Sequence, residues 1–233
     1  MNIEELKAKG LYSCPVKLDN NQEKKFMPYS QYKANFLAEE PGELKIDKEK
    51  FDTFMLAWNS VIERKLAKKE DLSNLSLLDV RTKTGLFPQT MWDKFQMKSV
   101  HGIDMVKDWV DYAKSKGRPV GLEEDLTKLP CKANKYDIVY SFKTFGRVKD
   151  NQLFLKELCR VARKYIFLVI DDIARDSKLQ YATTTDLRFY KQWLELDPEV
   201  IELTMAKNPV SKNPNDILVI IYKHGAENAQ GKN

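Results

Sequence analysis

Over most of its length the chain alternates short apolar runs with amphipathic stretches, the pattern of a parallel sheet covered on both faces. Leu77 to Val80 reads as the first strand, and Phe87 to Phe95 begins the helix after it. Ser99 to Ile103 is a second strand that ends at Asp104. Lys107 to Lys116 then sets Val110 and Ala113 on one helical face, with Gly117 as the residue that ends that helix. Pro119 to Leu122 and Tyr136 to Ser141 read as the third and fourth strands. Asn151 to Arg163 spaces Leu153, Phe154, Leu158 and Val161 as one helical face, and Tyr165 to Ile170 is the continuous apolar run of a central parallel strand. The character then changes. Glu199 to Lys207 and Asp216 to Lys223 are joined by the turn-rich NPVSKNPN, which predicts an antiparallel pair closing five parallel strands.

Upstream of the sheet, Phe51 to Lys69 places Phe51, Phe54, Met55, Trp58, Ile62 and Leu66 on one face, with lysine and glutamate opposite. Such a helix should pack on the sheet or roof its crevice. The first fifty residues, with PYSQY and EEPGEL, are irregular and aromatic, as a lid, a docking arm or simple wrapping would be. The expected organisation is an N-terminal extension over residues 1–70, an α/β domain over 71–224 and a frayed tail over 225–233.

Composition narrows the class. With 42% hydrophobic residues in 233, the chain can bury a full core, and its 31% charged residues make a very polar surface. No apolar run approaches the length needed to cross a bilayer, and MNIEELKAKG lacks the apolar core of a secretion signal, so a cytoplasmic location is expected. Cys14, Cys131 and Cys159 are odd in number and far apart, which predicts reduced thiols, without a disulfide framework or metal cage. A net charge of +5 permits a nucleic-acid or protein partner, but the lysines are scattered among nearly as many acids.

Candidate chemistry starts at LLDVRTKTG, residues 77 to 85. It has the strand, acid, tight turn and helix start of a glycine-rich cofactor loop, with two of three glycines replaced. VHGIDMVKDWVDYAKSKG gives a second strand ending in an acid before a helix. EEDLTKLPCKANKYDIVYS and FLKELCRVARKYIFLVIDD complete the series. In that order these four segments resemble the class I S-adenosylmethionine-dependent methyltransferases, over roughly Leu77 to His224. The resemblance implies a doubly wound, mostly parallel, seven-stranded sheet of the Rossmann-like methyltransferase kind, with an antiparallel C-terminal hairpin. It also implies S-adenosylmethionine as cofactor.

A ligand lying across the carboxyl ends of parallel strands needs a turn whose backbone it can touch and an acid that accepts from ribose hydroxyls. By resemblance, Asp79 orients the cofactor's amino group, Asp104 takes the ribose hydroxyls and Met105 lies against the adenine. Asp125 accepts from the adenine amino group, with Leu126 beside it, and Ser141 and Phe142 border the reacting methyl. The residues alone leave another reading open, in which Asp79, Asp104 and Asp125 cap local turns or helices and Met105 and Phe142 simply pack.

The loop departs from the family at Arg81 and Lys83, where glycines stand in the pattern; of the three, only Gly85 remains. A side chain in a left-handed site costs about 1 kcal/mol, and it can also block the ligand. Turned outward, Arg81 and Lys83 leave the site open and hold the cofactor's carboxylate. Turned inward, they fill it or convert it to a site for another anion.

Methyl transfer needs alignment and, for poor nucleophiles, a base. His101 begins a strand and His224 follows one, so both read as structural; Asp172, at the end of the fifth strand, is the candidate base. SFKTF after the fourth strand is unlike the Pro-Pro-aromatic motif of exocyclic-amine DNA methyltransferases. No metal-dependent catechol site is legible, and no metal is expected. Two functions follow: an active methyltransferase with an unidentified acceptor, or a protein of that architecture without the reaction, serving as an interaction or structural subunit.

Overall fold

The computed structural model describes residues 48–64, 70–145, 148, 150–170 and 200–223. Along the chain run α1 (Lys48–Glu63), β1 (Ser76–Val80), α2 (Leu86–Phe95), β2 (Ser99–Asp104), α3 (Lys107–Ser115) and β3 (Val120–Leu122). They are followed by β4 (Tyr136–Phe142), α4 (Asn151–Val161), β5 (Ala162–Ile170), β6 (Val200–Lys207) and β7 (Ile217–Lys223). The expected irregular arm, the tail, Cys14, Leu66 and Asp172 lie outside the described residues.

The strands form one seven-stranded sheet in the order β3-β2-β1-β4-β5-β7-β6. The first five are parallel, and β7 runs antiparallel to both β5 and β6. The order reverses beside β1: the chain builds outward through β2 and β3, then returns to the other side of β1 with β4. In open α/β sheets a crevice forms at the carboxyl ends of strands at such a switch point.

Strand alternation sorts the core into two layers. Leu77, Ile138, Tyr140, Tyr165 and Phe167 face one side, where Phe54 and Trp58 of α1 and Phe87 and Met91 of α2 cover them. Leu78, Val80, Val139, Ile166 and Leu168 face the other, under Phe154, Leu155 and Leu158 of α4. Phe54 is the hub of the first layer, its ring edge-on to Phe87, Tyr140 and Phe167 at 5.4–5.5 Å. The helix expected to pack on the sheet does so, but on a rotated face. Lys50, Thr53, Phe54, Ala57, Trp58 and Val61 are buried, whereas Ile62 is 48% exposed. The helix also begins three residues earlier than expected, at Lys48, which brings Lys50 onto its buried face; an ion pair, described below, accounts for that burial.

At the opposite end of the sheet, Asp137 ties β4 to β1 and β5. Its Oδ2 accepts from the Ser76 backbone N–H at 2.9 Å and hydroxyl at 2.7 Å, and its Oδ1 accepts from Arg163 Nε at 2.8 Å. Buried Lys223 donates to the carbonyl oxygens of Cys159 and Ala162. Among the described residues no helix is long and apolar enough to cross a membrane, and no group of three or more histidine, cysteine or acidic side chains could hold a metal.

Candidate cofactor site

Two neighbouring strands each carry an acid near the carboxyl end. Asp79 is the penultimate residue of β1 and is paired in register with Gly102 of β2 and Tyr140 of β4; Asp104 ends β2. Both are buried, at 0% and 2% exposure. Strand alternation points Asp79 to the same side as Leu77, the side covered by α1 and α2.

The turn between β1 and α2 has the backbone of a glycine loop built largely without glycine. Arg81, Lys83 and Gly85 have φ of 67°, 58° and 71°, so every second residue is left-handed. The turn is seated on β2, with the N–H groups of Arg81 and Thr82 both donating to the Ile103 carbonyl at 2.8 and 3.0 Å. Two glycines make this closeness feasible. A Cβ on Gly102 would strike the Thr82 side chain, and one on Gly85 would collide with Val120 Cγ2. The Lys83 N–H donates to Asp104 Oδ2 at 2.6 Å, and the Val106 N–H to its Oδ1 at 2.9 Å. Burial pushes the Asp104 carboxyl above the ordinary aspartate value, against those two N–H groups and the nearby charges of Arg81 and Lys50.

The two replaced glycines behave differently. Arg81 turns inward: it is buried, and its Nη1 donates to the Lys143 carbonyl at 2.9 Å, so the side chain bridges from the end of β1 to the end of β4. Lys83 turns aside, its Nζ lying 5.2 Å from the centre of the Trp109 ring on α3.

Asp79 meets Lys50, a residue the sequence reading did not select. Lys50 Nζ donates to Asp79 Oδ2 at 2.7 Å, with side-chain exposures of 8% and 0%. The ammonium also lies 5.1 Å from the centre of the Phe87 ring and 5.7 Å from that of Tyr140, whose hydroxyl donates to the Lys50 carbonyl at 2.8 Å. Next to it, Glu49 Oε1 accepts from Lys143 Nζ at 2.5 Å, and Lys143 also pairs with Asp216 Oδ2 at 2.8 Å. Burial would lower the Lys143 ammonium, but the hydrogen bonds and charges of Asp216 and Glu49 hold it above the ordinary lysine value. The first turn of α1 is thus pinned over the ends of β1 and β4.

Of the other sequence candidates, Met105 and Leu126 are buried in one core cluster with Val106 and Trp109. Asp125 is exposed, and its Oδ1 accepts from the backbone N–H and hydroxyl of Thr127, the capping arrangement left open above. Ser141 and Phe142 are buried at the end of β4, with Lys143 Nζ 5.1 Å from the centre of the Phe142 ring. Three buried oxygens, Asp79 Oδ1, Thr82 Oγ1 and Ser141 Oγ, have no hydrogen-bond partner among the described residues.

Residues 78–170 match the family model described as "Methyltransferase domain". No curated protein is significantly similar in sequence. Among solved structures, the plantazolicin methyltransferase BamL, in complex with a triazolic desmethylPZN analog and SAH, superposes with a TM-score of 0.60 at 18% identity, covering 84% of this chain and 91% of that one. The complex of the Haloferax volcanii Trm112 methyltransferase activator with a methyltransferase gives 0.54 at 12% identity, over 76% and 94%. The MccD protein gives 0.52 at 14%, over 72% and 96%. At these identities the neighbours speak for the fold alone, that of a Rossmann-like methyltransferase sheet, and residues 78–170 within it are similar to the methyltransferase domain family.

Proposed function

We propose that the chain binds S-adenosylmethionine across the carboxyl ends of β1, β2 and β4 and transfers its methyl group to an acceptor. The observation that carries this reading is the left-handed sequence of Arg81, Lys83 and Gly85 between Asp79 and Asp104. A loop that had lost all connection with a ligand would be under no demand to keep two non-glycine residues in a conformation costing each about 1 kcal/mol.

The donor set fits the group. Asp79 Oδ1 is a buried acceptor without a partner among the described residues, suited to the cofactor's amino group. Asp104 uses one lone pair of each oxygen on backbone N–H groups, and a carboxylate has further lone pairs for ribose hydroxyls. Arg81 is turned inward onto the Lys143 carbonyl and so lacks the outward pose that would hold the carboxylate; Met105 and Leu126 supply an apolar bed for the adenine, Asp125 an acceptor for its amino group, and Ser141 and Phe142 the border of the methyl. Gly85 lets helix α2 start close to β3. The bound cofactor supplies a methyl group activated on a sulfonium; the chain's task is to orient it and exclude water. Asp172, the candidate base, lies outside the described residues.

A second reading, of a non-catalytic methyltransferase-fold subunit, is favoured by one observation: both acids are already engaged, Asp79 by Lys50 and Asp104 by its own loop. The neighbour solved with an activator is in keeping with a protein partner in either case. A cytoplasmic location belongs to the same proposal, supported by three dispersed cysteines.

Titration calorimetry with S-adenosylmethionine and S-adenosylhomocysteine tests the reading. Dissociation constants on the order of micromolar, weakened at least about tenfold by Asp104→Ala, are expected. Absence of binding by both ligands contradicts it, and binding without methyl transfer to any acceptor favours the second reading.

A further inference from the structure

We infer that Lys50 is an internal competitor for the ammonium end of the cofactor, so that helix α1 sets the affinity of the site. The inference rests on the reading of the site given above.

Lys50 Nζ contacts a buried carboxylate oxygen of Asp79 and lies against the rings of Phe87 and Tyr140. That is the environment in which proteins bind alkylammonium groups. The amino-acid end of the cofactor offers the same chemical group, a primary ammonium, to the same carboxylate. Two ammonium ions sharing Asp79 in a buried site would repel at short range, where little water screens them. The ligand's ammonium therefore enters as that of Lys50 leaves.

The geometry lets Lys50 leave. It is the third residue of α1, on a flexible four-carbon stem. Its first turn is held by polar contacts, Glu49 with Lys143 and Ser211 and the Tyr140 hydroxyl with the Lys50 carbonyl, and by the Phe51 ring stacked on Phe95. From Phe54 onward the helix is fixed by aromatic packing. Withdrawal of Lys50 thus loosens the first turn and leaves the remainder of the helix in place.

Two ligands separate the ammonium from the rest of the molecule. S-adenosylhomocysteine carries it; 5'-methylthioadenosine shares the nucleoside and the sulfur and lacks it. In Lys50→Met, affinity for S-adenosylhomocysteine should rise about tenfold or more, while that for methylthioadenosine changes less than about twofold. In the unmodified protein, S-adenosylhomocysteine should speed hydrogen exchange of the amides nearest Lys50, and methylthioadenosine should not, a readout that remains if Lys50→Met folds poorly. Equal gains for both ligands, or no gain together with unchanged exchange, overturns the inference while the site reading stands. If neither nucleoside binds either protein, both fall.

Discussion

Lys50 Nζ and Asp79 Oδ2 lie 2.7 Å apart in the core, joining the first turn of α1 to the end of β1. Removing one member of a buried pair strands the other charge, at a cost of about 3–5 kcal/mol. Lys50→Ala is therefore expected to lower the urea unfolding free energy by that order. Lys50→Met with Asp79→Asn should lose much less than the sum of the two single losses. Additive losses would show that the pair is not coupled.

The loop holds two substitutions with different outcomes. Lys83→Gly relieves left-handed strain of about 1 kcal/mol but gives up the Trp109 contact and gains unfolded-state entropy, so it should lie near neutral. Gly85→Ala puts a Cβ into Val120 at a positive φ and should cost about 2–3 kcal/mol. Thermal unfolding of the two variants checks the contrast; equal losses would contradict the loop geometry.

The two buried acids at opposite ends of the sheet should respond oppositely to pH. For Asp137, burial alone would raise the carboxyl, but Ser76 and Arg163 bring it below the ordinary 3.8. Its contribution is present above 3.8 and lost as pH falls through the folded value, so the stability deficit of Asp137→Asn should shrink on acidification. Asp104 is raised by burial, so its contribution is present below 3.8 and lost as pH rises through the folded value. Asp104→Asn should gain on the unmodified protein as pH rises above 3.8. Denaturation read for both variants from below pH 3.8 for Asp137 to above it for Asp104 decides the signs.

Tyr140→Phe removes only the donor to the Lys50 carbonyl and should cost about 1–3 kcal/mol through the unsatisfied buried oxygen. Limited proteolysis should then cut first near residues 48–52. Unchanged cleavage would mean that this hydroxyl does not hold the first turn.

The sheet was legible in the sequence because Tyr165 to Ile170 is apolar without interruption and the turn residues of NPVSKNPN favour an antiparallel pair over a crossover. Asp79 and Asp104 were legible as a pair because each stands at the end of an apolar run, and the strand order sets β1 beside β2. Lys50 was not, because the helix was read from Phe51 and a lysine just before an apolar stripe gives no sign of burial. The stripe of Phe54, Ala57, Trp58 and Val61, carried back one turn, nevertheless lands on Lys50, and that was the available signal. The direction of Arg81 could not be read at all. Both rotamers satisfy the sequence, and the acceptor that decides between them, the Lys143 carbonyl, belongs to another strand.

In the proposed function, the ends of β1, β2 and β4 cradle a nucleoside-bearing amino acid. The most direct measurement is a two-dimensional amide NMR titration with S-adenosylhomocysteine. Saturable shifts are expected at the amides of Arg81, Lys83, Gly85, Val106 and Ser141, with those around Asp137 and Arg163 at the opposite edge unmoved. Shifts confined to the opposite edge, or none at saturating ligand, would contradict it.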